Sequence, residues 1–247
     1  IGGVLSPTHI YADDGVYTAT LTVTDDDDAS SDALVVTVNN VPPEVDAGPD
    51  QVANEGDEVF FAGTFTDPGV LDPHTVEWDF GDGGTASGTL TPTHVYVEDG
   101  VYGVTLTVTD QEGAWDSDTL TITVNNVAPT VYAGPDRTVD EGASVFMVGS
   151  FTDPGAEDTH AVEWDFGDGA TASGALTATH VYVENGVYTV TLTVVDDDGG
   201  VGSDFWIVTV ENVAPVVDAG PDQAVAKGAT VTLDGSGSSD PDGDGLT

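Results

Sequence analysis

Cysteine is absent from this 247-residue chain, and basic residues nearly so: Arg137 and Lys227 stand against 45 aspartates and glutamates. Without cysteine there is no disulfide and no thiolate-based zinc or redox centre. A net charge of −43 repels nucleic acid and anionic lipid, which sets both aside as partners. No apolar run approaches the roughly 20 residues that cross a bilayer, so no membrane insertion is expected of this segment. No stretch reads as a helix either, because the apolar period is two rather than 3.6. A hydrophobic content of 39% is nonetheless ordinary, unlike that of an acidic disordered tail.

The charge needs an offset. Two carboxylates 4 Å apart in water repel by only about 1 kcal/mol, but dozens of such terms accumulate. Concentrated salt, with a Debye length of about 3 Å at 1 M, or bound divalent cations would supply it. The charge points to an extracellular setting, calcium-containing or saline, and does not choose between the two.

What is present is a repeat. "NNVPPEVDAGPD" begins at Asn39, "NNVAPTVYAGPD" at Asn125 and "ENVAPVVDAGPD" at Glu211, a step of 86 residues each time. His94 and His180, and Tyr102 and Tyr188, keep the same step. Two full repeats span 41–126 and 127–212. The back part of another occupies 1–40, and the front part of a further one 213–247.

Within each repeat the apolar period is two, which means strands. "VYGVTLTVTD" sets Tyr102, Val104, Leu106 and Val108 on one face and threonines on the other. Leu120, Ile122 and Val124 alternate likewise, and Val76, Trp78 and Phe80 point inward while Glu77 and Asp79 point out. About seven such strands per repeat, punctuated by Gly, Pro, Asp and Asn, predict an all-β chain of tandem antiparallel sandwiches. Trp78 and Trp164 are the expected centres of the two cores. "EDGVY" and "ENGVY" each put a tyrosine just after a tight turn, the pattern of a tyrosine corner.

The motifs "WDFGDG" (78–83 and 164–169), "THVY" (93–96 and 179–182) and "DGVYGVTLTVTD" (99–110) with its partner "NGVYTVTLTVVD" (185–196) carry a family resemblance. Each full repeat resembles a polycystic kidney disease (PKD) domain, an immunoglobulin-like β-sandwich of bacterial, archaeal and animal surface proteins. The resemblance implies no catalysis. It implies a spacer, an adhesion or interaction module, or an accessory domain beside secreted hydrolases, at the cell surface or outside the cell.

Several groupings of polar residues need assignment. Asp79 and Asp82 lie on one strand and its glycine turn, not across a cleft as a glycosidase requires. The histidines recur in two sets, His9, His94 and His180, and His74 and His160, which favours a framework role over catalysis. Calcium is the candidate cation, because loops rich in carboxylates offer the hard oxygens it prefers. "SDPDGDG" presents Asp240, Asp242 and Asp244 at alternate positions, without the closing glutamate of an EF-hand. "TDDDDAS" (24–30), "TDQEGAWDSD" (109–118) and "VDDDGGVGSD" (195–204) are one acidic loop in three repeats. Its candidate ligands are Asp110, Glu112, Asp196 and Asp198. In an immunoglobulin-like order this loop lies at the pole that receives the previous linker, beside "FTDPG". Acids around Asp46, Asp50, Asp136, Asp218 and Asp222 are expected to gather at the junctions. Solvated acidic loops are the competing account.

Some aromatics fall out of phase with the core. Phe60 and Phe146 take the same outward position in successive repeats, Phe205 and Ile207 replace the outward Thr119 and Thr121, and Trp115 sits in an acidic loop. They are candidates for contact with a neighbouring repeat, a polysaccharide or an extracellular protein.

A complete third repeat would need eleven residues more than the chain has, the stretch carrying "VEWDFGDG". The two end segments are therefore complementary apart from one strand. The expectation is a fragment of a large microbial surface or secreted protein, with head-to-tail association of copies into a filament as the alternative.

Overall fold

The computed structural model describes residues 6–69, 72–240 and 245–247, and these contain strands and turns only. The chain divides into two units, Ile1–Asn126 and Val127–Thr247.

In the first unit β1 (Gly15–Thr24) and β2 (Ala29–Val38) form a hairpin, paired from Gly15↔Val38 to Thr24↔Ala29. The complete repeat follows with β3 (Glu44–Asp46), β4 (Gln51–Asn54), β5 (Glu58–Phe60), β6 (Thr64–Thr66), β7 (Thr75–Asp79), β8 (Thr85–Ser87), β9 (Thr93–Val95), β10 (Gly100–Thr109) and β11 (Trp115–Asn125). One sheet has the order β4-β11-β10-β7-β8, antiparallel except where β4 runs parallel to β11. The pairs β3–β6 and β5–β9 make the opposing layer. The period-two pattern drives this arrangement: Val76 and Trp78 of β7 and Val104, Leu106 and Val108 of β10 are buried, and the residues between them are not.

Nine strands replace the seven expected. The front strand is broken into β5 and β6 at Gly63, where a Cβ would lie 2.5 Å from Leu106 Cδ2 and 2.8 Å from Trp78 Cζ2. The tryptophan thus takes the room of a side chain, and the strand bends around it. Trp78, Phe80, Phe61 and Tyr96 form the centre of the core. Burying rings of this size removes about 150–250 Å² each from water, the main driving term in so small a domain.

The second unit repeats this plan with β12 (Thr130–Tyr132), β13 (Arg137–Asp140), β14 (Ser144–Val148), β15 (Ser150–Thr152), β16 (His160–Asp165), β17 (Thr171–Ser173), β18 (Thr177–Val181), β19 (Gly186–Asp196) and β20 (Val201–Glu211). Its large sheet runs β13-β20-β19-β16-β17, and Trp164, Phe166, Tyr182 and Trp206 centre its core.

The part-repeats differ sharply from the complete ones. Leu21, Val23 and Leu34 of the hairpin hold the positions of Leu106, Val108 and Leu120, yet are more than half exposed. Beyond Glu211 the described residues make a single bridge, Val216↔Ser239, and Val217 and Leu233 lie open to solvent.

Candidate functional site

The motif EWDFGDG is a strand end and a turn. Asp79 Oδ1 accepts from Gly81 N at 2.9 Å, and Asp82 Oδ1 from Gly84 N at 2.8 Å. Gly81 has φ +84°, and a Cβ there would meet Gly103 O at 2.6 Å, so only glycine serves. The other oxygen of Asp82 pairs with His94 Nε2 at 2.6 Å, and the His94 ring stacks on Phe80. Tyr96 donates from beneath to Phe80 O at 3.0 Å; burial first, and the Asp82 charge second, push its phenol pKa up. Asp165, Asp168, His180 and Tyr182 repeat every contact in the second unit. The turn is a locked structural device.

The tyrosine corners form as the sequence suggests. Tyr102 Oη donates to Glu98 O at 3.1 Å, Tyr17 to Asp13 O at 3.0 Å and Tyr188 to Glu184 O at 2.9 Å. The burial of Tyr96 and Tyr182 is not legible in the sequence, although "THVY" recurs with a histidine two residues before each tyrosine.

Many acids serve the backbone. Asp116 and Asp118 of β11 accept from Val45 N and Ala47 N at 3.1 and 2.9 Å, and Asp50 accepts from Thr121 N at 2.8 Å. In the second unit Asp204 holds Ala133 N and Asp136 holds Ile207 N. Carboxylates here stand where ladder carbonyls would be, tying the entering segment to the last strand. Of the acids expected at the junctions, Asp46, Asp50, Asp136 and Asp218 each bind a backbone N–H of their own unit.

Asp110 and Asp196 are buried. Oδ1 of Asp110 accepts from Ala114 N at 2.8 Å, and Oδ2 from Asn40 Nδ2 at 2.7 Å. The Asn40 amide, opposed by burial and aided by turn N–H groups, holds this carboxyl below its ordinary pKa. Asp196 accepts from Gly200 N at 2.7 Å. At the other end of a repeat, Glu141 Oε1 accepts from Val213 N at 2.6 Å. Glu141 is buried, like Glu55 one repeat earlier, and its signal in the sequence is a glutamate before glycine that recurs at the 86-residue step.

The acidic loop does meet the "FTDPG" segment. Oxygens of Asp158, Asp197 and Asp198 lie within 4.8 Å of one another, and Asp158 also groups with Asp153 and His160. His160 Nε2 pairs with Asp153 at 2.8 Å, and Thr159 N donates to Asp197 at 2.9 Å, holding that carboxyl low. In the first unit the matching positions are Asp67, Asp72, His74, Gln111 and Glu112. Burial raises the Asp72 pKa, and the charges of Glu112, Asp13, Asp67 and Asp14 raise it further. A cleft lined by Asp13, Asp14, Asn40, Pro68 and Asp72 opens there between the hairpin and the sandwich. Asp198 and Glu112 thus fall in the acidic groupings, whereas Asp110 and Asp196 hold their own turns. Asp240 is half-buried, and Asp242 and Asp244 lie outside the described residues.

Phe60, Phe146, Trp115 and Phe205 are each more than half exposed, and Ile207 is half-buried. Val95 and Val181 are exposed on the strands paired with those of Phe60 and Phe146.

The PKD domain family matches residues 3–39, 40–124 and 126–210. A mouse protein described as "Dyslexia-associated protein KIAA0319 homolog" is 31% identical over 93% of this chain and 23% of its own length. A microbial collagenase of Vibrio alginolyticus is 40% identical over 30% of the chain and 9% of its own length. The solved PKD1 domain of Vibrio anguillarum Epp aligns with 36% of this chain and all of that domain at 30% identity, with a TM-score of 0.31. The chain therefore spans less than a quarter of the curated relatives it matches. It belongs to the PKD domain family, an immunoglobulin-like fold of extracellular and cell-surface proteins.

Proposed function

We propose that this chain is a non-enzymatic spacer and interaction array within a larger extracellular or surface protein. Complete domains occupy 41–126 and 127–212, and 1–40 and 213–247 are parts of further domains. The observation that carries this reading is the treatment of the linkers. One is gripped by a buried aspartate of the domain it enters, through Asn40 and Asp110, and another by a buried glutamate of the domain it leaves, through Glu141 and Val213. A chain selected only for solubility has no use for buried acids aimed at its linkers.

Calcium is the cation we assign to the acidic loops. The donor set fits: three carboxylates converge at Asp158, Asp197 and Asp198, all hard oxygen ligands. Carbonyls and water would complete the six to eight ligands calcium takes, and His160 would stay with Asp153. Bound there, the ion would neutralise the loops and tie 153–160 to the turn after β19. In the first unit the matching acids, Asp72 and Glu112, draw on Asp13 and Asp14 of the preceding hairpin. Melting and small-angle scattering with calcium and with EDTA test this. Calcium should raise the melting temperature at low salt, and Asp158→Asn with Asp197→Asn should abolish the gain. Equal effects of calcium and of sodium chloride at matched ionic strength would leave general salt screening as the explanation.

A second reading is an accessory module beside a hydrolase, supported by the exposed Phe60 and Trp115 and by the similarity to a collagenase segment. Retention on collagen, chitin or cellulose, lost in Trp115→Ala, would favour it. Head-to-tail association of copies is a third arrangement, in which Leu21, Val23 and Leu34 of one hairpin cover Val217 and Leu233 of another chain. It requires concentration-dependent assembly that Leu34→Asp prevents.

A further inference from the structure

The tight turn ahead of the third long hairpin carries an amide where its two counterparts carry a carboxylate. Asp14-Gly15 and Asp99-Gly100 occupy the turn in the first two repeats, and Asn185-Gly186 occupies it in the next. Of the seven asparagines in the chain, Asn185 alone precedes a glycine; the others precede Asn, Val or Glu. We infer that Asn185 is a site of spontaneous deamidation, a modification that converts this turn into the acidic form of its sisters.

The chemistry needs only water. The Gly186 amide nitrogen, which no β-carbon shields, attacks Asn185 Cγ. The N–Cγ bond forms, the Cγ–Nδ2 bond breaks, and ammonia leaves with the proton from the glycine nitrogen. Water then opens the succinimide at either carbonyl, giving aspartate or isoaspartate. Asn185 is exposed, so water and hydroxide reach it. The other asparagines are worse placed. Each precedes a bulkier residue, and the side-chain amides of Asn40 and Asn125 are engaged with Asp110 and with Ala53 O.

The two products have different structural consequences. Aspartate at 185 is the residue that the fold already accepts as Asp14 and Asp99. Isoaspartate adds a backbone methylene between Glu184 and Gly186, inside the turn that Tyr188 closes by donating to Glu184 O at 2.9 Å. The aspartate form should keep the corner, and the isoaspartate form should lose it.

Gly186 also offers a clean control. Gly15 and Gly100 have φ of +139° and +147°, whereas Gly186 lies outside that region, and the nearest atoms to a Cβ on it belong to Tyr188 at 3.4–3.5 Å, ordinary contact distance. Gly186→Ala should therefore fold while blocking the attack sterically. The test is incubation of the whole chain in mildly alkaline buffer, then peptide mapping by mass spectrometry with an isoaspartate-specific methylation assay. Asn185 should convert at least an order of magnitude faster than any other asparagine, and Gly186→Ala should slow it by a similar factor. Purified isoaspartate chain should melt lower than Asn185→Asp, which should match the parent. Conversion of Asn185 no faster than that of the other six, or unchanged by Gly186→Ala, overturns the assignment. The comparison among asparagines in the parent chain stands whether or not the variant folds.

Discussion

Asn40 Nδ2 donates to Asp110 Oδ2 at 2.7 Å across 70 residues of sequence. The pair joins the end of one hairpin to the turn between β10 and β11 of the next sandwich, and the carboxylate is spent on this contact and on Ala114 N. Asn40→Ala or Asp110→Asn should leave the sandwich core folded but release the linker. Hydrogen exchange should show faster exchange of amides around 38–41, with β10 unchanged. Equal protection in parent and variant would mean the bond is incidental.

The core depends on Trp78 and Trp164, both almost fully buried. Trp78→Ala should cost about 3–5 kcal/mol, through lost transfer energy and the cavity left behind. Gly63→Ala should cost about 1–3 kcal/mol by overpacking against Leu106 and the Trp78 ring. Chemical denaturation of a segment containing residues 1–126 reads both.

Trp206 presents the opposite case. It is buried where the preceding repeat has Leu120, and its Nε1 finds no acceptor among the described residues. An unpaired buried donor costs about 1–3 kcal/mol, so Trp206→Phe should leave stability unchanged or raise it. Trp164→Phe should lower stability, because that indole donates to Ala175 O. A drop in both variants would show that ring volume outweighs the orphaned N–H.

The aspartates paired with histidine set a pH dependence. Burial opposes ionisation of Asp82, but His94 and the Gly84 N–H overcome it and lower its pKa below the usual 3.8; at Asp168 the Ala170 N–H and His180 do the same. A lowered carboxyl pKa contributes stability that is complete above the unfolded value and lost as pH falls through the folded one. Melting temperature should therefore fall progressively below about pH 4, and less steeply in Asp82→Asn.

Asp72 has the reverse sign. Its pKa is raised by burial and by the acids around it, so its contribution is favourable at low pH and lost as pH rises through the folded value. Asp72→Asn should raise the melting temperature at neutral pH and low salt. The gain should shrink with added calcium, and a gain independent of calcium would separate simple repulsion from an ion site.

Much of this molecule was legible in one dimension. The step of 86 residues, the two-residue alternation of Val76, Trp78 and Phe80, and the glycine turn of EWDFGDG determined an all-β tandem sandwich, its core tryptophans and its tyrosine corners. These are local or periodic signals, and strand geometry converts them directly into faces and turns. The acids were another matter. Asp110 and Glu112 stand two residues apart in the same loop. Yet Asp110 is buried on a linker amide, while Glu112 adds its charge to the group around Asp72. Asp158 gives no motif at all, and meets Asp197 and Asp198 only because β16 and β19 are paired. A carboxylate looks alike in any acidic run. Whether it ends up holding a backbone N–H, repelling its neighbours or offering oxygen to a cation depends on which distant strand the sheet brings beside it, and that was decided in the tertiary structure.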